Sequence, residues 1–292
     1  MFDLVRFWSG WHTSVMVTDG VPLLARQRQD YILGQVARHG GVRVAEVVDA
    51  LGVSEMTVRR DITDLVARGL VDRVHGGAVA PAGAAEEPYF RTKESHQQAE
   101  KAAIGELAAA RVRPGDSVAL TGGTTTLAVA RALSTLPHLG TLTVITNSLP
   151  AAQVLHEAVE QARAESRPAP TVLLTGGERT RSDALVGPVA VDTLRTLQVE
   201  WAFLGAHGFD PGIGLMTPNL SEAATNAAMV ASARTPVAVL DASKWGVLGL
   251  RTFCAVQDIA VLVTDADPGD ATREAAERHG ILLEVAGTEA AR

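Results

Sequence analysis

Apolar positions along the first third of the chain keep helical spacing and then abruptly lose it. Between Gln27 and Arg38, Ile32, Leu33 and Val36 share one face, which predicts a first helix. In VRVAEVVDAL, Val44, Val47, Val48 and Leu51 stand at i, i+3, i+4 and i+7, a second, short helix. Gly52 ends it, since glycine tolerates the positive φ just past a helix terminus. Ser54 is placed to cap a third helix that buries Val58, Ile62, Leu65 and Val66 and stops at Gly69. LVDRV, HGG and AVA then read as two short strands around a glycine turn. Helix, short helix, glycine turn, helix and hairpin is the layout of a winged helix-turn-helix, whose third helix enters the DNA major groove.

Residues 80–92, APAGAAEEPYFRT, shift to Ala, Pro, Gly and Glu and read as a linker. Lys93 to Arg111 is amphipathic, with Ile104 and Leu107 among its apolar positions. Beyond Pro114 short apolar runs alternate with helical stretches: SVALT 117–121, LTVIT 142–146, TVLLT 171–175, WAFLG 201–205, VAVLD 237–241 and AVLVT 260–264. That alternation predicts an α/β fold with a mostly parallel sheet behind a small α+β head. The expected division is a tail over 1–23, a head over 24–79, a linker over 80–92 and a second domain over 93–292, with 163–170 as an exposed loop.

Composition narrows the classes. A chain of 292 residues with 47% hydrophobic and 20% charged residues is globular rather than disordered. Its one cysteine, Cys254, excludes an internal disulfide and fits a cytoplasmic setting; beside Phe253 it reads as a small core residue. No apolar run has the length of a membrane span. The tail carries two of the four tryptophans without periodicity, and a start nearer Met16 is the alternative for residues 1–15. Net charge is -7, yet residues 24–81 hold eight arginines against seven carboxylates, so the acidity belongs to the rest of the chain. The eight histidines show no i, i+4 pairing, so no metal site and no cofactor are expected.

On the third helix, Arg60, Met56 and Thr63 fall opposite the buried arc at 100° per residue, Thr57 lies outward, and Arg59 sits at the boundary. Arginine on such a face can pair bidentately with guanine, and Ser54 at the helix start can donate to a phosphate. The competing reading is a solvated face balanced by Glu55, Asp61 and Asp64. The surrounding helix, turn and hairpin favour DNA contact.

RQDYILGQVARHGGVRVAEVVDALGVSEMTVRRDITDLVARGLVDRVHGGAV resembles the N-terminal domain of the DeoR family of bacterial transcriptional regulators. The likeness rests on VSxxTVRRDI, Val53 to Ile62, and on the HGGA at 75–78. It implies that Thr57, Arg59 and Arg60 belong to the recognition helix, that Arg73 and His75 sit in the wing, and that Asp61 is structural, holding an arginine in place. Operator DNA is the implied partner, read by a homo-oligomer (dimer or tetramer) on repeated half-sites.

Five predicted strand ends carry small or polar residues that open helices: Gly122, Gly123, Thr124, Thr125 and Thr126; Asn147 and Ser148; Gly176 and Gly177; Gly205 and Gly208; Ser243 and Lys244. In a parallel sheet these ends share the ligand-binding edge. Helix N-termini, threonine hydroxyls, room for close approach and one lysine describe an anion site, with phosphate the natural occupant. No GxxxxGK[ST] is present, which argues against a nucleoside triphosphate. His207 either faces this edge from AHG or is a satisfied loop histidine. The stretch from AEKAAIGELAAARVRPGDSVALTGGTTT to VTDAD resembles the sensor domain of the same family, similar in fold to ribose-5-phosphate isomerase. The resemblance implies a phosphorylated sugar effector, with GGTTT as phosphate loop and DASKW, Asp241 to Trp245, as lysine loop. Two positions depart from it: Thr121 stands where such regulators carry aspartate, and Asn226 where a basic residue is common. The alternative is an isomerase-like enzyme with Glu222 as base and Lys244 on the phosphate, although GLMTPN ahead of Glu222 lacks the Lys and Gly-Gly pattern of those enzymes.

Overall fold

The computed structural model describes residues 25–39, 41–67, 71–74, 76–79, 90 and 97–287. The expectations for residues 1–23, for His75 and for nearly all of the linker fall outside that set. Contacts divide the chain into two compact units, residues 1–82 and 83–292.

The first unit holds helices α1 (Ala25–His39), α2 (Val44–Leu51) and α3 (Glu55–Ala67) and strands β1 (Gly41–Arg43), β2 (Asp72–Val74) and β3 (Gly77–Val79). Ile32, Val36, Val47, Val58, Ile62 and Leu65 close into one core, as their spacing dictates. Gly52 takes φ 63° and ends α2 in the left-handed conformation that a side chain disfavours. The sequence pattern predicts two wing strands; the wing has three, because β1 pairs antiparallel with the central β3, Val42 opposite Ala78. A three-residue strand running straight into a helix is too short to show a period. Gly77 is required there: a Cβ would lie 2.2 Å from the Val42 carbonyl oxygen.

The second unit is a three-layer α/β arrangement. Strands β4 (Ser117–Leu120), β5 (Thr143–Thr146), β6 (Thr171–Leu174), β9 (Val199–Leu204), β12 (Ala233–Leu240), β14 (Val261–Thr264) and β15 (Leu282–Val285) form a sheet in the order β15-β14-β12-β9-β4-β5-β6, every pair parallel. Alternate residues feed opposite layers, the two-residue period of a strand buried on both faces. Val118, Leu120, Val237 and Val239 join helices α4 (Gln98–Ala109), α5 (Thr124–Ser134) and α6 (Leu149–Ala164). Ala119, Ala238 and Leu240 face the other layer, with α7 (Pro188–Arg195), α8 (Leu220–Ser232) and α9 (Asp270–His279). Cys254 is buried in that second layer.

Two smaller pieces frame the sheet's C-terminal edge. Strands β7 (Glu178–Arg179) and β8 (Leu185–Val186) make a hairpin, and β10 (Gly208–Asp210), β11 (Gly214–Thr217) and β13 (Arg251–Ala255) make a small antiparallel sheet. Among the described residues no helix is long and apolar enough to cross a membrane.

Candidate functional site

The head presents one polar surface around the start of α3. Ser54 accepts the Thr57 amide at 3.2 Å, and the two hydroxyls lie 2.9 Å apart, so the cap also fixes the Thr57 side chain. Arg60, Thr57, Met56 and Ser54 line one groove together with Arg28 and Asp64. Met56 is 81% exposed, a large apolar side chain in the middle of that polar surface.

The two adjacent arginines are not equivalent. Arg59 donates Nε and Nη2 to Glu55 at 2.9 and 2.5 Å, a pairing one turn apart on the same helix. Arg60 lines the groove. Arg73, on β2, reaches back to α3 and donates to the Thr63 hydroxyl at 3.2 Å and the Arg59 carbonyl at 3.4 Å. Asp61 is 3% exposed and receives Arg28 through both oxygens, Nε at 2.7 Å and Nη2 at 3.1 Å. That hydrogen bond, first among the causes, raises the Arg28 guanidinium above its ordinary value.

In the second unit one cavity collects residues from three neighbouring strand ends. Gly122, Gly123, Thr124 and Thr125 follow β4; Gly205, Ala206 and His207 follow β9; Lys244 follows β12; Thr217, Glu222 and Asn226 complete the lining from β11 and α8. Strand order brings these ends together, since β4, β9 and β12 are adjacent and their ends lie within one strand spacing, about 4.8 Å, of the next. His207 therefore lines the cavity.

The remaining residues predicted for this site lie elsewhere. Thr126 is buried and donates to the Thr121 carbonyl at 2.7 Å, closing the loop from within. Asn147 is buried at the end of β5, its amide donating to the Leu185 carbonyl at 3.1 Å. Gly176 and Gly177 shape the base of the β7–β8 hairpin: at Gly177, φ is 115° and a Cβ would lie 2.3 Å from the Val186 carbonyl oxygen. Gly208 lies under the lysine loop, where a Cβ would sit 1.9 Å from the Val247 carbonyl oxygen.

The β7–β8 hairpin crosses the edge of the site, and the sequence pattern did not announce it. Glu222 Oε1 accepts the hydroxyls of Thr180, at 2.8 Å, and of Ser182, while Oε2 lies 3.4 Å from the Thr217 hydroxyl. Farther along, Ala184 lies against Gly122, where a Cβ would come within 2.6 Å of the Ala184 Cβ. Thr121 is fully buried, its hydroxyl accepting the Gly205 amide at 3.0 Å. At this position threonine joins two strand ends instead of facing a ligand.

The lysine loop is tightly specified. Asp241 Oδ1 accepts the amide of Ser243 at 3.1 Å and also its hydroxyl, Asp265 accepts the Ala242 amide at 2.7 Å, and Gly246 donates to the Phe209 carbonyl at 3.0 Å. Trp245 meets the ring of Phe209 edge-on at 5.4 Å. Among the described residues no group of three or more His, Cys, Asp or Glu is arranged to hold a metal.

Sequence comparison bears on both surfaces. Residues 28–83 match the DeoR-like helix-turn-helix domain and residues 96–266 the DeoR C terminal sensor domain. An HTH-type transcriptional regulator, GlpR, of Haloferax volcanii is 34% identical over 262 residues, 89% of this chain and 98% of its own length. The glycerol-3-phosphate regulon repressor of Escherichia coli is 30% identical over 260 residues, with the same coverage. The lactose phosphotransferase system repressor of Staphylococcus aureus is 32% identical over 241 residues, 82% of this chain and 91% of that one. Among solved structures, ribose 5-phosphate isomerase A of Methanocaldococcus jannaschii is a distant likeness: 18% identity, 50% of this chain and 53% of that chain, TM-score 0.32.

Proposed function

The chain belongs to the DeoR family of DNA-binding transcriptional regulators, and from that premise we propose that it represses genes of carbohydrate metabolism and is released from its operator by a phosphorylated sugar. The head reads DNA through α3, with Arg60 and Thr57 toward base edges and Ser54 and Arg73 toward phosphates. The names of two relatives connect them to glycerol 3-phosphate and to a lactose phosphotransferase system, which supports sugar metabolism as the regulated pathway.

One observation carries the effector reading: the start of α5 and Lys244 line the same cavity as Glu222, Asn226 and Thr217. The N-terminus of α5 offers backbone N–H groups and the positive end of a helix dipole, and Lys244 adds a point charge, together a phosphate site. The polar side chains of α8 and β11 are then available to sugar hydroxyls. Effector-linked release requires the ligand to bind the DNA-incompetent arrangement more tightly than the competent one. A homo-oligomer acting in the cytoplasm, each head on one half-site, supplies the affinity that a single small head lacks.

The test is a mobility-shift titration of the purified protein on the DNA upstream of its own gene, repeated with a panel of phosphorylated sugars. Retardation relieved by one phosphorylated sugar and not by its unphosphorylated form is the expected result. Absence of retardation on that DNA would sink the operator assignment. Retardation that no phosphorylated sugar relieves would sink the effector assignment.

A further inference from the structure

Lys101 lies on α4, the first described helix after the linker, and is 5% exposed. Its Nζ stands 4.0 Å from Oδ2 of Asp241, which is fully buried. Asp241 is the residue that organises the lysine loop: its Oδ1 takes the amide and hydroxyl of Ser243, and its backbone carbonyl takes the Lys244 amide at 3.0 Å. Among the described residues its Oδ2 accepts no hydrogen bond, so the Lys101 ammonium is the charge that compensates it. Burying two opposite charges costs several kcal/mol of desolvation per ion, and an apolar pair of the same volume is often at least as stable. The pair is therefore poorly explained as a stabilising element.

Its position suggests a different use. Lys101 also lines a groove with Thr124, the first residue of α5, so the residue that faces the Asp241 turn also borders the start of α5. The helix carrying it is locked onto α5: Gly105 crosses there so closely that a Cβ would lie 2.7 Å from the Ala128 carbonyl carbon and oxygen. A shift of α4 is thereby a shift of Lys101 against Asp241, and a change in the Asp241 turn is a change in where Lys244 is held.

We infer that Lys101 is a positioning residue for the effector site: through Asp241 it holds the lysine loop in its phosphate-binding form and couples that form to the placement of α4. This rests on reading the cavity as a phosphate site. Coupling of this kind is reciprocal, so phosphate capture at Lys244 favours one setting of α4, and that setting favours capture.

The experiment compares wild type with Lys101→Met, which keeps the length of the side chain and removes its charge. Asp241→Asn, the Lys101→Met/Asp241→Asn double variant and Lys101→Arg complete the set. In full-length protein without ligand, hydrogen exchange at the Ser243, Lys244 and Gly246 amides is expected to rise about tenfold in Lys101→Met while α5 and α6 keep wild-type protection. Affinity for inorganic phosphate and for glycerol 3-phosphate, measured by calorimetry, should fall about tenfold, a typical coupling. Operator affinity without ligand should stay within about twofold. The double variant should be no worse than either single one, and Lys101→Arg should recover most of the loss. If Lys101→Met alone does not fold, the double variant, which leaves no unpaired buried charge, carries the comparison. Unchanged exchange in the lysine loop, or a loss of protection spread evenly over the sheet, would overturn the inference. If wild type binds neither probe, the exchange measurement still decides whether Lys101 holds the loop, and the phosphate reading stands or falls separately on the phosphorylated-sugar panel.

Discussion

Arg28 and Asp61, thirty-three residues apart, meet through two hydrogen bonds of 2.7 and 3.1 Å that tie α1 to α3. The side chains are 15% and 4% exposed, so the pair is partly desolvated and its geometry is the bidentate one that arginine and carboxylate favour. Arg59, by contrast, is 52% exposed in its pairing with Glu55, where solvent screens most of the attraction.

Asp61→Ala leaves the Arg28 guanidinium without its carboxylate beside the buried face of α3. Breaking one side of a buried pair costs about 3 kcal/mol. The head should lose that stability while the second unit keeps its own. Hydrogen exchange of full-length protein checks this: protection should drop across α1 and α3 and hold in the parallel sheet. Uniform loss across both units would contradict the assignment.

Arg60→Ala and Arg59→Ala should differ in size. Arg60 faces the groove, and removing a bidentate base contact costs about 1–3 kcal/mol, roughly ten- to hundredfold in operator affinity. Arg59 must first give up Glu55, so its substitution should cost only about threefold. Fluorescence anisotropy on operator DNA separates them, with phosphorylated-sugar affinity as the control that neither should move. Equal losses would show that the Glu55 pair does not persist on DNA.

Much of this architecture was legible in the sequence, for definable reasons. The three head helices are written in the spacing of Ile32, Val36, Val47, Val58, Ile62 and Leu65, each of which reaches the core. Six of the sheet strands are short apolar runs between helices, and all six are present. The seventh, Leu282–Val285, was missed because it is an edge strand with a glutamate inside it and an exposed Leu282. At the candidate site, the small and polar residues after β4, β9 and β12 that the pattern groups together do line one cavity. Contacts with the β7–β8 hairpin are not written locally, so Asn147, Gly176 and Gly177, which that hairpin engages, could not be separated from Gly122 and Gly205 by composition. Lys101 had no signal at all: a lysine on an amphipathic helix reads as surface until Asp241 is seen behind it.

Gly105→Ala probes the helix crossing beneath the cavity. The added Cβ would lie 2.7 Å from the Ala128 backbone, and backbone, unlike a flexible side chain, cannot step aside. Overpacking of this kind costs about 1–3 kcal/mol, outweighing the gain in helix propensity of about 1 kcal/mol. A lowered midpoint in thermal unfolding of the second unit is expected. An unchanged or raised midpoint would mean that α4 and α5 separate without cost.

Lys244→Ala should weaken the response to the phosphorylated sugar and leave operator binding without ligand intact. The α5 N-terminus remains, so weakened binding rather than complete loss is expected, about ten- to hundredfold for a charge-assisted phosphate contact of 1.5–3 kcal/mol. Mobility-shift titration with increasing ligand reads this as a displaced release curve. A release curve that does not move would exclude Lys244 from the site.

Cys254 gives the pH dependence. Burial in the apolar layer, with Asp258 adding a like charge, pushes its thiol from the ordinary 9.0 up to about 12. The folded state thus holds this proton more tightly than the unfolded state does. The associated stability is fully present below pH 9 and is lost as pH rises from 9 toward 12, because the unfolded chain gains by ionising first. At pH 10 the loss is about 1.4 kcal/mol, from one unit of separation at 1.36 kcal/mol per unit. Cys254→Ala lacks this titration, so the difference in unfolding free energy between wild type and variant should be flat from pH 6 to 8 and shift against wild type by about that amount at pH 10. Thiolate is also the reactive form, so native protein at pH 8 should resist iodoacetamide and react at once when unfolded. A native thiol alkylated at pH 8 as fast as free cysteine would show that the layer around Cys254 opens, and the pH shift would then vanish with it.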